Sequence, residues 1–341
     1  KLSAPAGIVA LLMPAKVMNA AYAAPLRRAA ESMSIVALDD WSDGARKLFD
    51  ADTFPLGITI SKQRPRDRVR VMVGSRSFVV PQQALSFAGS EWALVPCDVI
   101  DIVARLYREH PPLTETLGRR PVMGVKSGDN NTFFLDVARV CGDVLETRDG
   151  LRIPIRYAAR CVRGRDLSAG RIREASWMLW PPMGGWTRVP RWLERLAQSR
   201  GVDPDQLRLA WVCPEHLGIK VVWKDLSRGI CAAVLADRER VGGHRVPLIP
   251  NQTLYALEAA SVSEARRIAA ILNSTIVNAL AVMVAERAKD HHYRYFARTI
   301  SRIPLPQSAL TAPLAQAYGI TPDEERRLAE FLAERLGNEP G

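Results

Sequence analysis

The sequence predicts the later part of a doubly wound α/β sheet, followed by a mixed α+β domain and closing helices. Three features predict it. A continuous apolar run, Gly7 to Met13, stops at Pro14. Residues 7 to 60 then follow a strand, helix, strand, loop, strand rhythm. After Pro121 the pattern changes to short β-like runs separated by turn residues.

The run from Gly7 to Met13 lacks alternation, so it reads as a strand buried on both faces of a parallel sheet. Ala15 to Ser32 carries Leu26, Arg27 and Arg28 at helical spacing, and Ser34 to Leu38 reads as the next strand, running into acidic Asp39 and Asp40. A turn near Gly44, the pair Leu48 and Phe49, and a strand from Pro55 to Ile60 follow. Residues 61 to 76, dense in Arg and containing Pro65, read as a linker or basic excursion at the sheet edge. Pro96 to Glu109 has the amphipathic period of a helix and ends before Pro111 and Pro112.

Beyond Pro121 the β-like runs are Phe133 to Leu135, Ile153 to Ile155, Trp177 to Trp180, Lys220 to Trp223 and Ala232 to Leu235. A helical segment spans Ser261 to Arg287. The last helix opens on a capping box, Thr321 and Glu324 around Pro322, and sets Leu328, Phe331, Leu332 and Leu336 on one stripe. The expected division is therefore 1–75 for the end of the sheet, 76–120 for a connector with a helix, 121–308 for the second domain and 309–341 for a C-terminal helix.

The charge balance of 47 Lys plus Arg against 36 Asp plus Glu gives +11, which favours a polyanionic partner. Arg-rich solvated surface is the plain alternative. Five scattered cysteines, Cys97, Cys141, Cys161, Cys213 and Cys231, form no Cys-x-x-Cys pair and read as reduced thiols of a cytoplasmic protein. The most apolar helical stretch, Ile268 to Val284, is short and interrupted by Asn273, Ser274, Thr275 and Asn278, so no membrane span is expected. The chain opens on Lys1 and reaches an apolar strand within a few residues, as a fragment or processed chain would.

Several segments, in order, carry a family resemblance. Gly7 to Pro14, Leu26 with Arg27, Leu48 with Phe49, and Pro55 to Ile60 resemble the second half of the catalytic domain in TaqI-like, amino-methylating DNA adenine methyltransferases. Gly124, Lys126, Ser127, Gly128, Asn130, Asn131 and Phe133 resemble the opening of the target-recognition domain in that family. Arg163, Gly164, Arg165 and Asp166 resemble a later turn of it, and Lys220 to Asp225, Pro250 to Gln252, Leu272 to Ser274, Tyr293 to Tyr295 and Ile303 to Pro306 follow the order in which it closes.

The resemblance implies the α/β end of a Rossmann-like methyltransferase sheet, then a mixed α+β target-recognition domain and C-terminal helices. It implies that Phe49 stacks on an adenine flipped out of the duplex, since chemistry on a paired base requires extrusion onto an apolar face. It further implies double-stranded DNA as partner, contacted by Lys126, Ser127, Gly128, Asn130, Asn131, Arg163, Arg165, Lys224, Tyr293 and Arg294. The basic groups would position phosphates, while Asn and Ser would meet base edges or form turns. Each has a structural alternative: a core aromatic for Phe49, a Gly/Asn turn for the 124–131 segment, and an Arg165–Asp166 surface pair for the later turn.

S-adenosylmethionine is the implied methyl donor. Yet no Gly-x-Gly occurs, and neither Pro pair, Pro111–Pro112 or Pro181–Pro182, has Asn, Asp or Ser before it or an aromatic after it. These residues alone are thus expected to be inactive in methyl transfer, the cofactor being bound by sequence upstream. The expected role is the DNA-reading portion of a site-specific adenine methyltransferase in a restriction-modification or phage-defence system, in company with other restriction or defence subunits. The alternative is a non-catalytic specificity subunit that docks on a separate methyltransferase or nuclease. His291 and His292 beside Asp290 lack helical ligand spacing, and no Gly-x-Ser-x-Gly elbow or P-loop is present.

Overall fold

The computed structural model describes residues 4, 7–42, 54–86, 91–168, 170–182, 186, 188–204, 207, 209 and 212–337. The chain forms two compact units, one of residues 1–118, 227–229 and 274–341, the other of residues 119–226 and 230–273.

The first unit opens with β1 (Ile8–Pro14), α1 (Ala24–Glu31), β2 (Ser34–Asp40), β3 (Pro55–Ser61), β4 (Arg68–Val73) and β5 (Arg76–Pro81), followed by α2 (Cys97–Glu109) and the short α3 (Leu113–Leu117). The five strands form one sheet in the order β1-β3-β2-β4-β5. β3 runs antiparallel between β1 and β2, while β4 pairs parallel with β2. The sheet is therefore mixed rather than parallel.

β1 departs most from its expected setting. It is an edge strand, and Ile8, Leu11 and Leu12 are 66%, 42% and 51% exposed. Its apolar run is that of a strand with neighbours on both faces, but among the described residues only β3 flanks it.

The basic stretch 61–76 is likewise no linker. Arg68, Val69, Arg70 and Val71 alternate with period two, so both valines are fully buried and the arginines face out. Buried Gln82 fastens this stretch: its Oε1 accepts from the amides of Ile35 (3.0 Å) and Arg66 (3.2 Å), and its Nε2 donates to the carbonyls of Glu31 (3.1 Å) and Met33 (2.7 Å). All of the amide's main bonding capacity is thereby used inside the fold.

The second unit contains β6 (Val122–Met123), α4 (Asn130–Phe133), β7 (Phe134–Leu135), β8 (Val137–Cys141), β9 (Val144–Thr147), β10 (Arg152–Pro154), β11 (Ala158–Val162), β12 (Leu167–Ser168), β13 (Arg171–Ile172), β14 (Ser176–Leu179), α5 (Arg191–Arg200) and β15 (Lys220–Lys224). After β16 (Leu226–Ser227) come β17 (Ala232–Leu235), β18 (Arg238–Val241), β19 (His244–Pro250), β20 (Leu254–Glu258) and α6 (Val262–Leu272). Its two main sheets run β18-β19-β11-β14-β7 and β17-β15-β20-β6. One core, containing Leu145, Ile153, Cys161, Met178, Leu193 and Ile249, lies beneath the first sheet; a second, containing Val162, Leu167, Val222, Leu235 and Leu254, belongs with the other.

Lys220 ties these two sheets together. Its side chain is fully buried, and Nζ donates to the carbonyls of Ala236 (3.3 Å) and Leu248 (3.1 Å). Burial pushes its ammonium down from 10.5 to about 8, against the opposing pull of Asp237 and Glu258. The unfolded chain holds this proton more tightly than the folded one, so stability rises as pH climbs from about 8 towards 10.5. The wild-type minus Lys220→Met difference in unfolding free energy is expected to grow across that window, by at most ~3 kcal/mol. A difference independent of pH in urea titrations would contradict this.

The expected helix from Ser261 to Arg287 is broken. Ser261 caps α6 and Ser274 caps a second helix, α7 (Thr275–Val284), each hydroxyl accepting from a first-turn amide. With α7 the chain returns to the first unit, which also holds β21 (Glu286–Arg287), β22 (Tyr293–Arg294), α8 (Ala297–Ser301), α9 (Leu314–Ala317) and α10 (Pro322–Arg335). Residues 274–308, expected in the second domain, thus belong with the sheet of the first, as do 76–118 and 309–341.

α10 begins as anticipated. The Thr321 amide donates to Glu324 Oε2 (2.9 Å) and the Glu324 amide to Thr321 Oγ1 (3.2 Å). Glu324 also accepts from Arg105 of α2 at 2.7 Å. Leu328 and Phe331 are buried, whereas Leu332 and Leu336 are only half-buried. At the carboxyl end of β2, buried Asp40 pairs with Arg287 at 3.1 Å. All five cysteines are free, and no helix among the described residues is long and apolar enough to cross a membrane.

Candidate nucleic-acid interface

Three segments distant in sequence meet in the second unit around the turn from Pro250 to Leu254. The first is the stretch that begins at Gly124. The Gly124 amide donates to the Leu254 carbonyl (2.9 Å), the Val125 amide to the Pro250 carbonyl (2.8 Å), and the Gln252 amide back to the Val125 carbonyl (3.0 Å). A Cβ on Gly124 would lie 2.2 Å from the Asn251 carbonyl oxygen, so only glycine permits this approach.

The second segment is the turn after β11. The Asn251 amide donates to the Val162 carbonyl (2.8 Å), and the Gly164 amide to Thr253 Oγ1 (2.8 Å). The third is the end of β15, where Lys224 pairs with Leu254 and the Asp225 amide donates to the Thr253 carbonyl (3.1 Å). Lys126, Arg165 and Lys224 are thereby each placed within one residue of a backbone contact to this single turn.

The side chains divide by what holds them. Lys126 is exposed. Arg165 is 71% exposed, with only a loose approach of 3.8 Å to Asp166. Lys224 is half-buried at the strand end. Arg163 is committed elsewhere: its Nε donates to Asp166 Oδ2 (3.2 Å), its Nη2 to Ser176 Oγ (2.5 Å), and its guanidinium lies 4.9 Å from the centre of the Phe134 ring. Asp166, itself buried, also accepts from the Arg163 amide at 2.9 Å. Of the two arginines in this turn, Arg163 builds it and Arg165 is presented by it.

The Gly124 segment shows the same division. Ser127 is buried and donates to Asn130 Oδ1 (2.8 Å), so its hydroxyl shapes the turn from within. Gly128 adopts φ +79, a left-handed conformation that an L side chain rarely takes. Asp129 caps α4, accepting from the Asn131 amide (2.9 Å) and the Thr132 hydroxyl. The Thr132 hydrogen bond holds the Asp129 carboxyl below its usual range, against the opposing effect of burial. Asn130 and Asn131 are exposed at the start of α4.

The expected DNA contact of Tyr293 is overturned. The Tyr293 and Tyr295 rings are buried in the first unit, with hydroxyls donating to the carbonyls of Arg335 (3.3 Å) and Arg228 (2.6 Å). Burial raises the Tyr295 phenol well above its ordinary value. These rings are core aromatics with satisfied hydroxyls and offer no face to a base. Arg294 is half-buried beside Phe296, its guanidinium 5.9 Å from the ring centre. Phe49 lies outside the described residues. No cluster of three metal-ligating side chains occurs among the described residues.

Sequence reasoning missed Thr253. Its hydroxyl accepts from the Gly164 amide and donates to Asn251 Oδ1 (3.3 Å), a relay visible only once the loops meet.

With this geometry in view, comparison with solved structures is informative. The structure of the type IIL restriction-modification enzyme MmeI in complex with DNA matches 96% of this chain and 46% of its own, at 12% identity and a TM-score of 0.52. The chain shares that enzyme's fold. The type IIG restriction endonuclease BpuSI matches over 97% of this chain and 47% of its own, at 7% identity and a TM-score of 0.43. The chain spans less than half the length of either structure. No protein-family model and no curated protein matches it.

Proposed function

We propose that the second unit reads duplex DNA, as the recognition part of a site-specific DNA adenine methyltransferase in a restriction-modification or phage-defence system. The observation that carries this reading is the meeting of three basic segments on one turn: that of Lys126, with Asn130 and Asn131 exposed a few residues on, that of Arg165 and that of Lys224. Long cationic side chains suit phosphates, and amide side chains can meet adenine edges through two hydrogen bonds. The net charge of +11 and the fold shared with MmeI, whose structure contains DNA, support it.

The methyl donor in this reading is S-adenosylmethionine. The 341 residues hold no Gly-x-Gly loop and no Asn-Pro-Pro-aromatic tetrad for it, so no step of methyl transfer is derived from them. Phe49 is the residue this reading assigns to stacking on the flipped adenine. The alternative of a non-catalytic specificity subunit draws on one feature, the exposed apolar edge of β1, which a strand of a separate polypeptide would cover.

The test is duplex binding across a salt series. Lys126→Ala and Arg165→Ala are each expected to weaken binding and to reduce the slope of log K against log salt by roughly one, the signature of one lost phosphate contact. Wild-type binding and slope in both variants would remove this face from the interface. Mapping of methylated adenines in a host with and without the intact gene tests the chemistry.

A further inference from the structure

We propose that Thr253, acting with Asn251, sets the sequence discrimination of the DNA-binding face rather than its affinity. This rests on the reading that the second unit binds duplex DNA. Thr253 touches the turn after β11 and the end of β15, and Asn251 touches that same turn and the Gly124 segment. The Thr253 hydroxyl accepts from the Gly164 amide at 2.8 Å, and its carbonyl accepts from the Asp225 amide at 3.1 Å. Asn251 stands against Val125, and its amide donates to the Val162 carbonyl at 2.8 Å. The link between the two residues is Asn251 Oδ1, which accepts from both the amide and the hydroxyl of Thr253 at 3.3 Å. Beside the backbone bond from Asn251 to Val162, one hydroxyl, donating once and accepting once, links the Asn251 side chain to the turn that presents Arg165.

The side chain of Asn251 supports this assignment independently. It is 2% exposed, and its Nδ2 is buried with no hydrogen-bond partner among the described residues. An orphaned buried donor carries a desolvation cost, and an apolar residue filling the same space would avoid it. The same amide places its Oδ1 against Thr253, so this polar group shapes the turn.

Distance tolerance determines what the relay controls. Phosphate attraction acts over several ångströms through flexible Lys and Arg stems and survives a small shift of a loop. Base-edge hydrogen bonds require placement within about half an ångström. A loosened coupling between the Gly124 segment and the Arg165 turn therefore degrades base reading while leaving phosphate contacts in place. Thr253 is a positioning residue in this scheme and touches no nucleotide itself.

The experiment uses the whole chain. Selection from a randomised duplex library defines a preferred sequence. Affinities for that duplex and for a scrambled one are then measured at fixed salt, and slopes over a salt series. Thr253→Val, which keeps the shape and removes the hydroxyl, is expected to lower the preferred-to-scrambled ratio at least tenfold, with scrambled affinity and salt slope unchanged. Thr253→Ser is expected to restore the ratio. If valine is not accommodated, Thr253→Ala, smaller and lacking the same hydroxyl, replaces it with the same expectation. A ratio within twofold of wild type, or parallel loss of both affinities, overturns the assignment while leaving DNA binding standing. A wild-type chain that binds no duplex overturns the functional reading, and this inference with it.

Discussion

Gly124→Ala is expected to unfold the face proposed to read DNA and, with it, to abolish duplex binding. The new methyl group would stand 2.2 Å from the Asn251 carbonyl oxygen, 2.6 Å from its carbonyl carbon and 2.8 Å from the Pro250 oxygen. All three are backbone atoms, so no rotamer change relieves the contact. The segments are also pinned by the amides of Gly124, Val125 and Gln252, and separating them breaks bonds in both directions. Ordinary overpacking costs about 1–3 kcal/mol; a clash with fixed backbone belongs at or beyond the upper end of that range. Urea unfolding followed beside duplex affinity measures it. Gly128→Ala is the control, because its φ of +79 brings left-handed strain while nothing lies within 4 Å of the added carbon. That strain is worth about 1–2 kcal/mol, so Gly128→Ala should cost less than Gly124→Ala. Equal costs would mean that the close approach to Asn251 is not the reason for the glycine.

Arg27→Met is expected to be the most damaging single change in the first unit. Arg27 is 1% exposed, and one of its terminal nitrogens donates to the carbonyls of Val17 (2.6 Å) and Ala20 (2.9 Å). These carbonyls lie on the connection from β1 to α1, where the Ala20 oxygen also accepts from the Ala23 amide at 3.1 Å. Burial lowers the guanidinium from its ordinary value, with Glu91 and Glu31 opposing. Losing hydrogen bonds from a buried charged donor costs about 1.5–3 kcal/mol each, and methionine supplies no donor to the Val17 carbonyl. Trp92, buried in the same unit, reports the unfolding by fluorescence. An unfolding midpoint equal to wild type would show that the connection is held by its packing alone.

Local pattern was a good guide wherever one element's own residues decide its form. The box of Thr321 and Glu324 starts α10, and Cys97 to Glu109 forms the amphipathic helix, because capping and helical period are set within a few residues. The β-like runs from Trp177, Lys220 and Ala232 became β14, β15 and β17. Neighbours were harder to read. β1 has the composition of a central strand and an edge position, since an apolar run records how much surface is to be covered and not which strand covers it. The stretch 61–76 reads as a linker or a basic excursion at the sheet edge because its arginines dominate the count. The intervening valines, aligned on one face, make Arg68 to Val73 a strand.

The candidate site divides along the same line. From residue type and spacing the sequence offered Lys126, Arg165 and Lys224 as positive charge, and Gly124 and Gly128 with Asn130 and Asn131 as either a DNA-contacting segment or a structural turn. Residue type and short-range spacing suffice for those statements. Tertiary structure alone decided that Arg163 is consumed by Asp166, Ser176 and Phe134, that Tyr293 and Tyr295 are core rings, and that Asn251 and Thr253 gather three segments into one face. A side chain's role depends on whether a partner from elsewhere in the chain reaches it before solvent or a ligand does. Such partners arrive through folding, from residues dozens of positions away.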